Sequence, residues 1–219
     1  MTRRRLPETA NVATPAEGAK LFAPSAERNR DALCDLLDHV APRAGSALEI
    51  ASGTGQHVVA FAARFPGLGW QPTEPDPVRR ASIDAHAADA SLPNLAAAIP
   101  LDATARGWGK AQTPQSLIVV VNLLHLISTG EARVLIGESA AALIPGGRMV
   151  IYGPFMRAGE LTSEGDVRFH ASLIAQDPEI GYKDDFDVLD MAVEAGLCVL
   201  DVVEMPSNNL ALVLEKPAN

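Results

Sequence analysis

Two glycines, Gly53 and Gly55, lie inside Glu49-Ile50-Ala51-Ser52-Gly53-Thr54-Gly55-Gln56, between an apolar run and a helical pattern. Glycine lets the backbone turn sharply and approach a ligand with no Cβ in the way. A ligand at such a turn meets the N–H groups that open the next helix. Two chemistries use this arrangement. A dinucleotide site wants a third glycine for close helix–strand packing. That position is Val58 here, so a pyrophosphate fits less well, whereas an adenosyl ligand without phosphates does not need the third glycine. Glu74 follows Gly55 by about the 20 residues at which a ribose-binding carboxylate is expected, and a charged acceptor strengthens bonds from ribose hydroxyls. Asp76 is close enough to take that role, and a solvated loop charge is the plain alternative for either acid. Asp102, in Leu101-Asp102-Ala103, ends a further short apolar run. An acid there, with the Ala103 backbone beside it, suits an adenine amino group; a turn or helix cap is its plain alternative.

A second group of residues suits the far side of such a ligand. Asn122 and His125 follow the apolar run Leu117–Val121, and ligands of open parallel sheets bind beyond the carboxyl ends of the strands. His125 titrates near neutrality and is the candidate to take a proton, or else it packs the following turn. Tyr152 ends a later strand pattern and, with Glu27-Arg28-Asn29, is placed to wall an acceptor pocket. Arg28 suits a bidentate clamp on an acidic substrate and equally a surface salt bridge. His57 falls in the first helical turn after the glycines, as a pocket residue or a structural one. Asn208 and Asn209 reach across from a turn, where Asn also suits positive φ.

These residues need a scaffold to bring them together, and the hydrophobic pattern supplies one. Strand patterns at Ser46–Ala51, Leu68–Thr73, Ala98–Leu101, Leu117–Val121 and Arg148–Tyr152 alternate with helical patterns from Pro24, at Gln56–Phe65, at Val78–Ala90 and at Gly130–Leu143. Ser25 is the candidate cap of the first helix. Residues 154–183 read as loop with a short helix at Phe169–Ala175, the kind of insertion that carries a substrate wall. A helix at Phe186–Ala195, opened by Asp184-Asp185-Phe186-Asp187 and stopped by Gly196, precedes strands at Leu197–Val203 and Leu210–Leu214. The expectation is an α/β fold: a Rossmann-like, seven-stranded, mostly parallel sheet with helices on both faces and a C-terminal antiparallel hairpin. Residues 1–20 are expected as a flexible tail, and 21–219 as one domain.

The totals narrow the class. The chain has 219 residues and a formal net charge of −9, which disfavours a phosphate backbone as partner. Its tight basic run, Arg3-Arg4-Arg5, lies at the N-terminus. Two cysteines do not make a disulfide framework, and both Cys34 and Cys198 read as buried apolar residues. No run reaches the roughly 18 apolar residues of a membrane span. A cytoplasmic protein with a small-molecule substrate, no nucleic acid and no membrane is expected. The five histidines are scattered, so no metal site is expected, and the oligomeric state is not readable.

Taken together, these residues resemble the class I S-adenosylmethionine-dependent methyltransferases, and within them the uncharacterised family that includes methyltransferase-like protein 26. The resemblance is carried by Pro24–Asn29, Leu48–His57, Trp70-Gln71-Pro72, Asn122-Leu123-Leu124-His125, Tyr152-Gly153-Pro154-Phe155, Asp177-Pro178-Glu179 and Met205–Leu210. It implies S-adenosylmethionine as cofactor, held by Glu49, Ala51, Ser52, Gly53, Gly55, Gln56, Glu74, Asp102, Ala103 and Asn122. Position beyond the strand ends, rather than the resemblance, gives the expected catalytic positions Asn122, His125 and Tyr152, beside an acceptor pocket of Arg28, Asn29, His57, Asn208 and Asn209. Two segments depart from that family: Ser163–His170 stands where a Ser-Asn stretch and Phe-Asp are usual, and Ile127-Ser128-Thr129 lacks the family's tryptophan. Methyl transfer to a small acceptor is thus the leading expectation. A non-catalytic adenosyl-ligand binder or partner protein on the same fold is the second, and an NAD(P)-dependent oxidoreductase the third.

Overall fold

The computed structural model describes residues 12–218. Its first element is a small antiparallel pair, β1 (Thr14–Pro15) and β2 (Leu21–Phe22). Strand β1 of this pair falls within the 1–20 segment, while the Arg3-Arg4-Arg5 run lies outside the described residues. Helix α1 (Pro24–Val40) follows; Pro24 takes its first turn and Ala23 its cap, with no side-chain cap bond, so Ser25 is not the cap. Pro is pre-organised for that first position and has no N–H to lose.

A run of βα units then builds the centre. They are β3 (Gly45–Ile50), α2 (Gln56–Arg64), β4 (Leu68–Pro72), α3 (Pro77–Ala90), the one-turn α4 (Trp108–Ala111), β5 (Gln115–Val121), α5 (Thr129–Ala142) and β6 (Leu143–Gly153). Helix α5 opens with a capping box, Ser128 and Glu131 exchanging bonds with each other's backbone. The Ser-Thr-Gly-Glu tetrapeptide is a sequence signal for that start which the apolar pattern alone does not reveal. The short pair β7 (Phe155–Met156) and β8 (Lys183–Asp184) brackets α6 (Glu164–Gln176). The short helix expected at Phe169–Ala175 thus extends over Glu164–Gln176, begun by Ser163, which accepts from the Asp166 N–H. Helix α7 (Asp185–Glu194) is capped by Asp184, and β9 (Cys198–Met205) and β10 (Asn209–Glu215) finish the chain.

The central sheet has six strands in the order β4-β3-β5-β6-β10-β9. The first four are parallel; β10 runs antiparallel to both β6 and β9. The seventh expected strand, Ala98–Leu101, does not form. The chain there does pass alongside β4, but only the isolated bridges Trp70↔Leu95 and Thr73↔Ile99 remain. Side chains intercept the ladder: Gln71 Nε2 donates to the Ala97 carbonyl at 2.8 Å, and the Ala98 N–H donates to Asp84 Oδ1 at 2.8 Å. Pro100, which has no N–H, ends the pairing. The terminal antiparallel pair also differs in its bounds. Its strands run on to Met205 and from Asn209, and one turn of 3-10 helix, Pro206–Asn208, joins them with Ser207 and Asn208 both at positive φ.

The strands of the centre are buried on both faces, and Leu117 to Val120 are wholly inaccessible. One face packs Leu48, Ile50, Ile118, Val120 and Ile151 under α5 and α7. The other packs Ala47, Leu117, Val119, Val150 and Tyr152 under α1, α2 and α3. Successive residues feed opposite cores because side chains alternate along a strand. Cys34 is buried as expected, but Cys198 is exposed, because β9 is an edge strand whose outer surface nothing covers. No helix among the described residues is long and apolar enough to cross a membrane.

Candidate active site

Past the end of β3 the backbone folds back on itself, with Ala51, Gly53 and Gly55 all at positive φ. Gly55 is needed here on two counts: its φ is +95°, and a Cβ would meet the Ile83 Cα at 2.8 Å. The turn is tied to β4 by bonds from Ser52 N to the Thr73 carbonyl (2.8 Å) and from Thr73 N to the Glu49 carbonyl (3.0 Å). Glu74, at the tip of β4, is buried and accepts from the Gly53 N–H and the Asp76 N–H, each at 3.1 Å. The two halves expected from sequence, glycine turn and acid, therefore meet. Asp76 caps α3, accepting from Val78 and Arg79. Its carboxylate has that structural task while still facing the cleft.

A cleft of about 1110 Å³ opens over this turn. Of the expected cofactor residues, Glu49, Ala51, Ser52, Gly53, Glu74, Asp102 and Asn122 line it, and so does His57. Gly55, Gln56 and Ala103 do not. Gly55 lies packed on Ile83. Gln56 is a brace: its Oε1 accepts from Ala23 N at 2.7 Å and Thr54 Oγ1 at 3.0 Å, and its Nε2 donates to Glu27 at 3.2 Å. Ala103 is buried, its carbonyl accepting from Trp108 Nε1. Asp102 sits in a loop rather than at a strand end, and its Oδ1 accepts from both the N–H and the hydroxyl of Thr104.

The cleft is strongly acidic. Among the described residues Glu49, Glu74, Asp76, Asp102, Glu131 and Asp177 face it against the guanidinium of Arg79. Glu49 is 1% exposed, and its Oε2 has no hydrogen-bond partner. Burial pushes its carboxyl up to about 8; the Glu74 charge adds to the shift and the Ser52 bond opposes it. An orphaned acid in a wall of carboxylates is a site for a cationic group.

A second chamber of about 410 Å³ adjoins the cleft, and Ser25 and Asn122 line both. It gathers the expected catalytic positions Asn122, His125 and Tyr152, with Arg28, Asn29 and Asn209. Asn122 takes positive φ and donates its N–H to the Tyr152 carbonyl, coupling the ends of β5 and β6. Tyr152 Oη accepts from Asn209 Nδ2 at 3.0 Å. Desolvation holds that phenol above its usual range, against Asn29, Asn209 and Arg28. His57 Nε2 lies 2.6 Å from Asn29 Oδ1, and burial presses this imidazole down to about 4, the Ala26 backbone opposing. His125, in a 3-10 turn, is pushed down to about 3 by burial, with the Lys183 charge adding. Both rings are neutral at pH 7 and weakly basic. Arg28 makes no ion pair among the described residues, which leaves the salt-bridge alternative without support.

Asn208 does not line the chamber; its amide is bonded to Thr162 and Asp166. Sequence reasoning missed Asp166, Phe169 and Tyr182, which complete the chamber wall. Tyr182 Oη donates to Asp166 at 2.9 Å, and Ser163 donates to the other oxygen at 2.6 Å. Only the length of α6 reveals them, and its start was available from Ser163 as a cap.

Sheet order, glycine turn and acid-tipped second strand form a Rossmann-like fold of the kind found in methyltransferases. Solved structures agree. An O-methyltransferase family protein from Burkholderia thailandensis superimposes with a TM-score of 0.76 at 17% identity, over 89% of this chain and 58% of that one. A putative O-methyltransferase from Nostoc punctiforme PCC 73102 gives 0.76 at 16% identity, over 88% and 57%. CalO1, a methyltransferase of calicheamicin biosynthesis in its S-adenosylhomocysteine-bound form, gives 0.71 at 15% identity, over 89% and 54%. The chain spans a little over half the length of each. By sequence, the chain belongs to the family described as Protein of unknown function (DUF938), whose model matches residues 20–216.

Proposed function

We propose that this protein transfers the methyl group of S-adenosylmethionine to a small acceptor. The observation that carries the reading is the charge of the cleft over the glycine turn. Among the described residues six acidic side chains face it against one guanidinium, which suits a phosphate-free, cationic adenosyl ligand and disfavours a pyrophosphate. Val58, at the third-glycine position of a dinucleotide site, is fully buried in the core, so close helix–strand packing is reached with a side chain in place.

In this reading Glu74 holds the ribose hydroxyls, Asp102 the adenine amino group, and Glu49 the cationic end. Asn122, shared by cleft and chamber, orients the reacting groups. When bound, S-adenosylmethionine supplies a methyl already activated by its sulfonium. The protein's part is to align an acceptor and to exclude water. Among the described residues the chamber offers no strong base: its His125 is a weak proton acceptor, as is His57 of the cleft, and the Asp166 oxygens are engaged. The acceptor must then be nucleophilic as it binds. The solved neighbours titled as O-methyltransferases support an oxygen as the atom methylated. The resemblance to the methyltransferase-like protein 26 family bears on the cofactor and leaves the acceptor to experiment.

Calorimetric titration with S-adenosylhomocysteine and with NAD tests the cofactor. Binding of the former alone is expected, and binding of NAD alone overturns the reading. Transfer of label from methyl-labelled S-adenosylmethionine into a small-metabolite extract separates an enzyme from a non-catalytic binder.

A further inference from the structure

We propose that the second chamber takes an acceptor bearing a carboxylate, held by Arg28 and the open N-terminus of α1. This rests on the methyl-transfer reading for the word acceptor, but the anion site itself does not.

Helix α1 is 17 residues long and its cap residue, Ala23, has no side chain that could bond the first-turn N–H groups. Pro24 has no N–H and the Ala23 N–H is taken by Gln56 Oε1, which leaves the first-turn N–H groups of Ser25 and Ala26 without an intrahelical partner at the positive end of the helix. Ser25, in that first turn, borders both cleft and chamber. One turn on, Arg28 lines the chamber and has no ion pair among the described residues, although its neighbour Arg30 is paired with Glu27 and Asp31. The Arg28 charge reaches Tyr152 across the chamber, where it opposes the upward shift of the phenol.

A third observation points to a ligand. His125 is 5% exposed, lines the same chamber, and has an Nδ1 with no hydrogen-bond partner. Buried polar atoms of this kind are normally satisfied, by solvent or by a bound molecule. The one carboxylate in the wall among the described residues, Asp166, has its oxygens taken by Tyr182, Ser163 and Asn208. What the described residues of the chamber have to spare is therefore donors, Arg28 among them. A monoanion fits better than a dianion, because one guanidinium and one helix end face it and the acidic cleft lies next door.

The test uses the full chain loaded with S-adenosylhomocysteine, titrated with benzoate, phenylacetate and succinate, each against its neutral amide, and with methyl phosphate. At least one carboxylate is expected to bind tenfold or more tightly than its amide. That preference should vanish in Arg28→Gln, persist in part in Arg28→Lys, and leave the melting temperature of both variants near that of the parent. Equal binding of acids and amides, no binding of any acid, a preference untouched in Arg28→Gln, or methyl phosphate outcompeting every carboxylate would each overturn the proposal. Repeating the titrations without nucleoside separates the two claims. If S-adenosylhomocysteine fails to bind while the acid preference remains, the cofactor reading falls and the anion chamber stands.

Discussion

Glu74 joins two tasks in one side chain. Its carboxylate braces the glycine turn through Gly53 and the loop behind it through Asp76, and in the proposed function it also holds the ribose. Glu74→Ala should weaken S-adenosylhomocysteine binding by about 1–3 kcal/mol, the scale of losing charge-assisted hydrogen bonds; titration calorimetry measures it, and unchanged affinity moves the ribose contact elsewhere. Glu49 makes a different kind of statement. Its carboxyl, ordinarily at 4.5, is held at about 8. Across that window the folded chain keeps a proton that the unfolded chain has released. The stabilisation is therefore complete below the unfolded value and is lost as pH rises through the folded one, at up to about 1.4 kcal/mol per pH unit. The histidines act with opposite sign. His57 and His125, held near 4 and 3 rather than 6.5, favour the fold above 6.5 and weaken it as pH falls. Denaturant unfolding at pH 5, 6.5 and 8 should show stability rising from pH 5 to 6.5, where two histidines outweigh one acid, and falling from 6.5 to 8; in Glu49→Gln the rise should steepen and the fall above 6.5 should shrink. Parallel profiles would mean that Glu49 does not titrate in this way.

At the scale of elements, the turn between β3 and α2 separates stability from binding. A Cβ on Gly55 would collide with the Ile83 backbone, whereas one on Gly53 meets nothing closer than Arg79 Nη1 at 3.5 Å and stands in the cleft wall. Gly55→Ala is expected to cost about 1–3 kcal/mol of stability, read from denaturant midpoints. Gly53→Ala should lose proportionally more affinity for S-adenosylhomocysteine than stability. A Gly55→Ala variant as stable as the parent would show that α3 can yield at this contact. The elements also show where pattern reading succeeds. Leu117–Val121 is legible because a parallel strand buried on both faces is apolar throughout. Ala98–Leu101 misleads because short apolar runs carry no information about who takes their backbone bonds: Ile99 alone pairs with β4, while the flanking Ala97 and Ala98 bond to Gln71 and Asp84.

For the whole molecule, the unequal charge of the two cavities is the main consequence of the fold. S-adenosylmethionine carries one more positive charge than its demethylated product, so the acidic cleft should favour it by an amount that salt removes. Raising ionic strength from about 0.05 to about 0.5 M should weaken S-adenosylmethionine binding about two- to fivefold more than S-adenosylhomocysteine binding. An equal response of the two ligands would show that the carboxylates of the cleft do not sense the sulfonium.

From the residues alone came the alternation of strands and helices, the glycine turn, the acid about 20 residues beyond it, and the argument from Val58 against a pyrophosphate. Each depends on order along the chain, which local sterics and hydrophobic period express directly. The sharing of Asn122 and Ser25 between two cavities was decided by packing, as were the neutral state of His57 and His125, the lack of an ion pair at Arg28 among the described residues, and the use of Asn208 and Gln56 as braces. Those properties arise from burial and from partners distant in sequence, since a side chain's charge and bonding are set by what the fold brings against it.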